Sequence, residues 1–165
     1  MTKIIFKTKI SFFICRNFFT LFMLSNSVKY ALKAVLYLAV HSNENNKVMV
    51  KDIATPINVP QAYIAKLLQE LSKQNIISST RGINGGFYLT ESDFKQPILK
   101  IIYAIEGEHK MTSCLLSLEK CNEQVPCPLH HLANPMRSQL MELLRNKTIG
   151  DFTQEIKSGI TFLPL

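Results

Sequence analysis

Three cysteines and a histidine, Cys114, Cys121, Cys127 and His130, fall within seventeen residues of one another in a chain of 165. Thiolates and a neutral imidazole are the donors that zinc and iron–sulfur clusters select. Cys127 and His130 are three positions apart, so one helical turn would carry both to the same face. Cys114 and Cys121 precede them on a stretch able to fold back and complete a four-ligand site. Three thiolates with one imidazole suit a 2Fe–2S cluster, with zinc as the alternative. His131 is a rival fourth ligand, although it stands about 100° further round a helix than His130. Cysteine often serves as a small buried hydrophobe, but three of them interleaved with Ser, Lys, Glu and Asn are poorly explained as core. His41 and His109 receive no role, and Cys15, in the doubtful N-terminal extension, is not counted with the set.

The elements that must position these residues read as a DNA-binding domain. Val28, Leu32, Val35, Leu36 and Ala39 recur at helical spacing over residues 25–41, with Ser25 or Ser27 as cap. Residues 48–50 are a strand candidate. Residues 51–57 form a short helix with Ile53, Ala54 and Ile57 inward and Pro56 inside it, and Asn58, tolerant of left-handed backbone, turns the chain. Pro60 opens the next helix, whose buried stripe is Tyr63, Ile64, Leu67, Leu68 and Leu71. Gln61, Ala62, Ala65, Lys66 and Gln69 are left to solvent. Two short helices joined by a tight turn make a helix-turn-helix. Residues 76–81 and 86–90 read as strands joined through Gly82-Ile83-Asn84-Gly85, with an Asn-Gly turn signal. A hairpin directly after a helix-turn-helix is a wing. Pro97 begins a helix with Ile98, Ile101, Ile102 and Ile105 along one side, ending at Gly107. Leu132, Met136, Leu140, Leu143 and Leu144 mark a last amphipathic helix, which Pro135 either kinks or starts. The fold expected is mainly α with a small β-hairpin wing, a winged helix-turn-helix followed by a C-terminal dimerisation helix.

In such a fold the second helix lays its N-terminal residues in the major groove, where base edges are distinguishable. Gln61 can donate and accept at an adenine edge, and Lys66 can reach phosphate or guanine. Arg81 suits a narrow minor groove, and Gly85 and Gly86 allow close backbone approach to phosphate. The expected DNA-contacting set is Gln61, Ala62, Tyr63, Lys66, Arg81, Gly82, Asn84 and Gly85. The leucine-rich stripe after the cysteines has little chain left to cover it, so a second copy is the expected partner. Two-fold DNA readers need such a dimer to present paired helices.

Composition sets the outer bounds. Apolar residues are 47% of the chain, enough for one core, and 19 basic against 12 acidic residues give a formal charge of +7. That balance favours a polyanionic partner. Residues 1–22 hold Lys3, Lys7, Lys9 and Arg16 and no acid, so +4 of the +7 lies there. Arg16 and Asn17 interrupt the apolar run, no small-residue cleavage site follows, and the stretch is too short and charged to span a bilayer. It is expected to be a start-site artefact ahead of Met23, with a disordered basic arm or a weak membrane-surface helix as the alternatives. The chain as a whole is expected to be cytoplasmic, where clustered cysteines bind metal or do redox work more often than they form disulfides. No triad, Walker loop or dinucleotide fingerprint supports catalysis, and neither a membrane nor a small-molecule substrate is expected as partner.

Several stretches together resemble one family of winged-helix bacterial regulators, the one that includes the iron–sulfur cluster regulator IscR and the nitric-oxide-sensitive repressor NsrR. They are Tyr30-Ala31-Leu32, Val50-Lys51-Asp52-Ile53-Ala54, Tyr63-Ile64, Arg81-Gly82 with Gly85-Gly86-Phe87, and Ala104-Ile105-Glu106-Gly107. The three cysteines with Cys127-Pro-Leu-His130, then Thr148-Ile149-Gly150-Asp151, complete the likeness, which spans residues 23 to about 157. The resemblance implies a homodimer binding palindromic promoter DNA, with a cluster on the three cysteines and one further ligand. In the IscR-like subgroup that ligand is the histidine three residues after the last cysteine, here His130. In the nitric-oxide-sensing subgroup an aspartate just before the first-helix tyrosine serves a 4Fe–4S cluster; Lys29 stands there, which favours 2Fe–2S. Six residues rather than five separate Cys114 from Cys121, Ala65 replaces a frequent glutamate, and Pro56 and Pro135 interrupt elements usually free of proline.

The expected organisation is an N-terminal extension (1–22), a winged helix-turn-helix domain (23–107), a cysteine loop (108–131), a dimerisation helix (132–147) and a tail (148–165). The expected function is promoter binding modulated by an iron–sulfur cluster that responds to iron–sulfur status, redox or nitric oxide. Two alternatives stand beside it: a DNA-binding regulator with a structural zinc, and a cluster-bearing redox protein that does not read DNA.

Overall fold

The computed structural model describes residues 24–114, 116 and 123–165. The N-terminal extension with Cys15, and the middle cysteine Cys121, lie outside the described residues.

Helix α1 (Asn26–His41) is the centre of the fold. Ser25 caps it, its hydroxyl accepting from the Val28 N–H at 3.3 Å, which satisfies one of the donors left over at a helix start. Val28, Ala31, Ala34, Val35 and Leu38 are fully buried on it, because the helices that follow pack on more than one of its sides. Helix α2 (Val50–Ile57) ends where Asn58 takes the left-handed conformation at φ 58° and ψ 50°. Pro56 sits in its last turn, where the helix stops before much ladder is lost. Helix α3 (Gln61–Lys73) starts at Pro60 and buries Ile64, Leu67, Leu68 and Leu71 against α1 and α2. Each such side chain contributes about 1.5–3 kcal/mol through burial.

The wing is smaller than its sequence suggests. Strands β1 (Ser78–Thr80) and β2 (Gly86–Tyr88) pair antiparallel, with Thr80 opposite Gly86. Ile76, Ile77 and Leu89 leave the ladder to enter the core. The expected strand at 48–50 reduces to one bridge, Val48 to Phe87, and Val50 already belongs to α2. The Asn-Gly pair is not a two-residue hairpin turn. Five residues connect the strands, Gly85 N–H donates to the Gly82 carbonyl at 3.0 Å, and the positive φ (110°) falls on Gly82, not on Asn84.

After the wing, α4 (Glu91–Phe94) is held by a capping box between Thr90 and Asp93. The buried Asp93 carboxylate accepts from the Thr90 N–H at 2.9 Å and the Ser78 hydroxyl at 3.0 Å, tying the wing's base to the core. Helix α5 (Ile98–Glu106) follows. The cysteine segment is not all loop, because Glu108–Thr112 forms the short helix α6. Helix α7 (His130–Asn146) then starts two residues earlier than the leucine pattern suggests and keeps Pro135 in its interior. The supposed tail is largely helix α8 (Ile149–Lys157), fixed by a Thr148–Asp151 capping box and packed on α1 through the fully buried Ile149. The chain re-enters the domain there: Ile98 N–H donates to the Lys147 carbonyl at 3.0 Å and Ile149 N–H to the Gln96 carbonyl at 2.9 Å. No helix among the described residues is long and apolar enough to cross a membrane.

Candidate functional site

Two sites arise from these elements, a basic groove beside the wing and a cysteine centre at the start of α7. The groove lies between the start of α2, one face of α3 and the wing. Lys51, Gln61, Gln69, Lys73, Arg81 and Gly86 are among the residues that line it, together with Ser72, Ser79 and Thr80, and no carboxylate does. Its three cations therefore act without internal neutralisation. Ser72 and Ser79 exchange a hydroxyl hydrogen bond at 2.8 Å, which locks α3 to β1 at the groove floor. Gly86 is required there: a Cβ on it would lie 2.7 Å from the Val48 carbonyl oxygen.

Of the expected DNA-contacting residues, Gln61, Arg81, Gly82 and Gly85 line this groove. Asn84 is exposed on the wing, and Ala62 and Lys66 are exposed on α3, outside the groove lining. Tyr63 is half-buried and turned to α1. Its hydroxyl is 2.7 Å from the Ser27 hydroxyl and its ring meets Tyr30 edge-on, with centroids 6.1 Å apart. It clamps α3 to α1. Lys51, Gln69, Ser72 and Lys73 join the groove unannounced by motif. Helical spacing offered a clue, since Ser72 follows Gln61 by eleven positions, about three turns on the same face.

At the second site the Sγ atoms of Cys114 and Cys127 are 3.5 Å apart. Two thiolates on one tetrahedral metal at about 2.3 Å each have sulfurs about 3.8 Å apart; this pair stands a little closer, at the distance of a thiol–thiol hydrogen bond. Cys114 is buried, Cys127 half-buried. His130 follows on the first turn of α7, its N–H donating to the Cys127 carbonyl at 2.9 Å. His130 is 6% exposed, whereas His131 is turned to solvent and meets it edge-on with centroids 5.4 Å apart. Among the described residues no three potential ligands come together; Cys121, the third expected thiolate, lies outside them. The donor set fits zinc or an iron–sulfur cluster by its chemistry. Two α7 side chains reach residues in and beside the cysteine segment, Thr112 at the end of α6 and Glu123. Arg137 donates to the Thr112 carbonyl at 3.4 Å and Asn134 to the Glu123 carboxylate at 3.3 Å.

Polar contacts link α6, ahead of the cysteines, to the start of α1. Glu106, at the end of α5, accepts from the Ser25 N–H at 3.1 Å and from Lys110 Nζ of α6 at 3.2 Å. Burial pushes the Glu106 carboxyl up, but the bonds from Ser25 and Lys110 outweigh it and hold the group below its ordinary value.

On α7, Leu132, Met136 and Leu143 of the expected dimerisation stripe are 54%, 45% and 57% exposed. Leu140 is half-buried, and Leu144 departs from the stripe to pack into this chain's own core.

Comparison with known proteins gives a consistent result. Residues 24–155 match the Rrf2 family, described as iron-dependent transcriptional regulators. The chain is similar to a protein of Aquifex aeolicus (strain VF5) named as an HTH-type transcriptional regulator, 36% identical over 77% of this chain and 88% of that one. It is similar to the HTH-type transcriptional regulator IscR of Vibrio cholerae, 27% identical over 80% of this chain and 75% of that one. Among solved structures, CymR, the global cysteine regulator of B. subtilis, superposes with a TM-score of 0.65 at 22% identity, over 80% of this chain and 96% of that one.

Proposed function

The chain belongs to the Rrf2 family of transcriptional regulators, and we propose that it is a homodimeric, promoter-binding member whose DNA affinity depends on an iron–sulfur cluster held by Cys114, Cys121, Cys127 and His130. DNA-binding regulation without enzymatic activity is the property of the family. The cluster, the residues and the cytoplasmic setting are the present reading.

One observation carries it: two cysteine sulfurs thirteen residues apart in sequence approach to 3.5 Å beside a buried histidine, on a chain that also builds an acid-free basic groove. The groove supplies the first half of the function. Lys51, Lys73 and Arg81 bind phosphate or a narrow minor groove, Gln61 and Gln69 present amides to base edges, and the Gly85–Gly86 backbone allows close approach. The exposed face of α7, Leu132, Met136 and Leu143, meets the same face of a second copy and sets the spacing of the two reading heads. Cys114 and Cys127 supply thiolates, Cys121 a third from the loop, and His130 a neutral imidazole. When bound, the cluster supplies a redox- and nitric-oxide-reactive centre whose presence is worth folding free energy to the loop that holds it. Glu106 then joins the two halves, since it touches both α6, ahead of Cys114, and the cap of α1, against which Tyr63 seats the reading helix.

Anaerobic loading of the full chain with iron and sulfide, followed by visible absorption and a DNA titration with and without the cluster, tests this. The expected result is charge-transfer absorption that is lost in C114A, C121A and C127A, and a DNA affinity differing between the two forms by about 5- to 150-fold. A colourless protein that takes up stoichiometric zinc, or equal DNA affinity with and without cluster, refutes the sensor.

A further inference from the structure

Arginine is rarely buried, and a buried guanidinium needs partners that compensate its lost hydration. Arg137, in the middle of α7, is 9% exposed. It lies on the same face of the helix as His130 and Asn134, at positions i, i+4 and i+7, and these three line one cavity with Thr112 and Glu123. It donates to the main-chain carbonyl of Thr112, two residues before Cys114. Nothing in the DNA-reading groove or in the apolar face of α7 uses this residue.

We propose that Arg137 is the positioning residue of the cysteine centre: its buried guanidinium on α7 holds the Thr112 carbonyl and thereby fixes Cys114 opposite Cys127. The helix that carries His130 thus also sets the position of the first thiolate, so the two sides of the site are registered by one rigid element. Main-chain attachment explains why the contact needs no particular residue at Thr112, and the planar fork of arginine suits it better than the single ammonium of lysine. In its consequences for the cluster, the proposal rests on the reading given above. Its consequence for Cys114 itself does not.

The test uses the full chain as wild type, R137M and R137K. R137M keeps the apolar stem and removes the donor; R137K keeps a cation and one donor. In the metal-free, reduced protein, alkylation of each cysteine by iodoacetamide is followed by mass spectrometry. R137M is expected to speed labelling of Cys114 roughly 10-fold or more while Cys127 changes little, and R137K to restore a rate near that of wild type. After anaerobic loading with iron and sulfide, R137M is expected to lose its cluster to a chelator roughly 10- to 100-fold faster than wild type, the range for groups that orient metal ligands, and to show an altered visible circular dichroism. Unchanged Cys114 labelling in R137M overturns the proposal. So does an R137M chain that fails to fold, because the guanidinium would then hold the fold and not the loop. A wild-type chain that takes up no cluster refutes the cluster reading alone, and the labelling result still decides the role of Arg137.

Discussion

Replacing Gly85 by alanine is the sharpest perturbation of the wing. Gly85 closes the turn on Gly82, and an added Cβ would fall on the Thr80 carbonyl oxygen while lying 2.8 Å from the Arg81 carbonyl carbon and 2.9 Å from the Gly82 oxygen. All three neighbours are main chain, so no side chain can rotate away and the turn itself must open. Overpacking of this kind costs about 1–3 kcal/mol. The β1–β2 ladder has only three residue pairs, whereas Ile77 and Leu89 anchor the strand ends in the core at 2% and 1% exposure. The energy is therefore released by opening the hairpin tip, not by unfolding the domain. Arg81 moves with the tip, and losing its contact weakens DNA binding by about 1–3 kcal/mol, or about 5- to 150-fold at 1.4 kcal/mol per tenfold. The assay is a fluorescence anisotropy titration on a duplex selected with the wild-type protein, with hydrogen exchange at the Phe87 amide, which donates to Val48 at 2.9 Å. Gly159→Ala is the control: its φ is +75° but nothing lies within 4 Å, so it strains α8's end without touching the wing. Wild-type affinity together with wild-type protection at Phe87 in G85A would refute the steric argument.

Three further outcomes follow from the same geometry. Leu143→Asp places a charge on the 57%-exposed face of α7; sedimentation should show a monomer with weakened operator binding, and a persisting dimer would place the interface elsewhere. Lys73→Gln removes one groove cation and should lower the slope of log affinity against log salt by about 0.9, with little change in sequence preference. An unchanged slope would take Lys73 out of phosphate contact. Glu106 is held below its ordinary value, so its stabilisation is complete above about pH 4.5 and is lost as pH falls through the folded-state value. E106Q should therefore be less stable than wild type at neutral pH and converge with it in acid, as measured by urea midpoints. A difference that stays constant with pH would show that the carboxylate charge is not what stabilises.

Local chemistry wrote much of the fold into the sequence. Ser25 caps the first helix, Asn58 turns left-handed after the second and Pro60 begins the third, because each of these is decided within a few residues. The same holds for the stripe of Ile64, Leu67, Leu68 and Leu71, which has one way to be buried. What escaped was decided at distance. Val48–Val50 looks like a strand, yet only Val48 finds a partner, because Val50 is taken by α2. The Asn84-Gly85 pair looks like a tight turn, yet the register of Thr80 with Gly86 puts the special backbone on Gly82. The last eighteen residues look like a tail, yet pairing of Thr148 with Pro97 seats Ile149 in the core.

The candidate functional residues divide along the same line. Cys114, Cys121, Cys127 and His130 stand out as candidate ligands because ligand chemistry depends on residue type and spacing, both of which are sequence properties. Arg81 and Gln61 stand out as candidate DNA contacts in the same way, by their places in a wing and at a helix start. The clamp that Tyr63 makes on Ser27, the groove face of Lys51, Gln69 and Lys73, the bond from Arg137 to Thr112 and the bridge through Glu106 each join segments far apart in the chain. Sequence alone determined which atoms could bind metal and DNA. Only the packing of α1, α3, α5 and α7 decided which of them meet, because hydrogen bonds and burial act over a few ångströms in space whatever the distance along the chain.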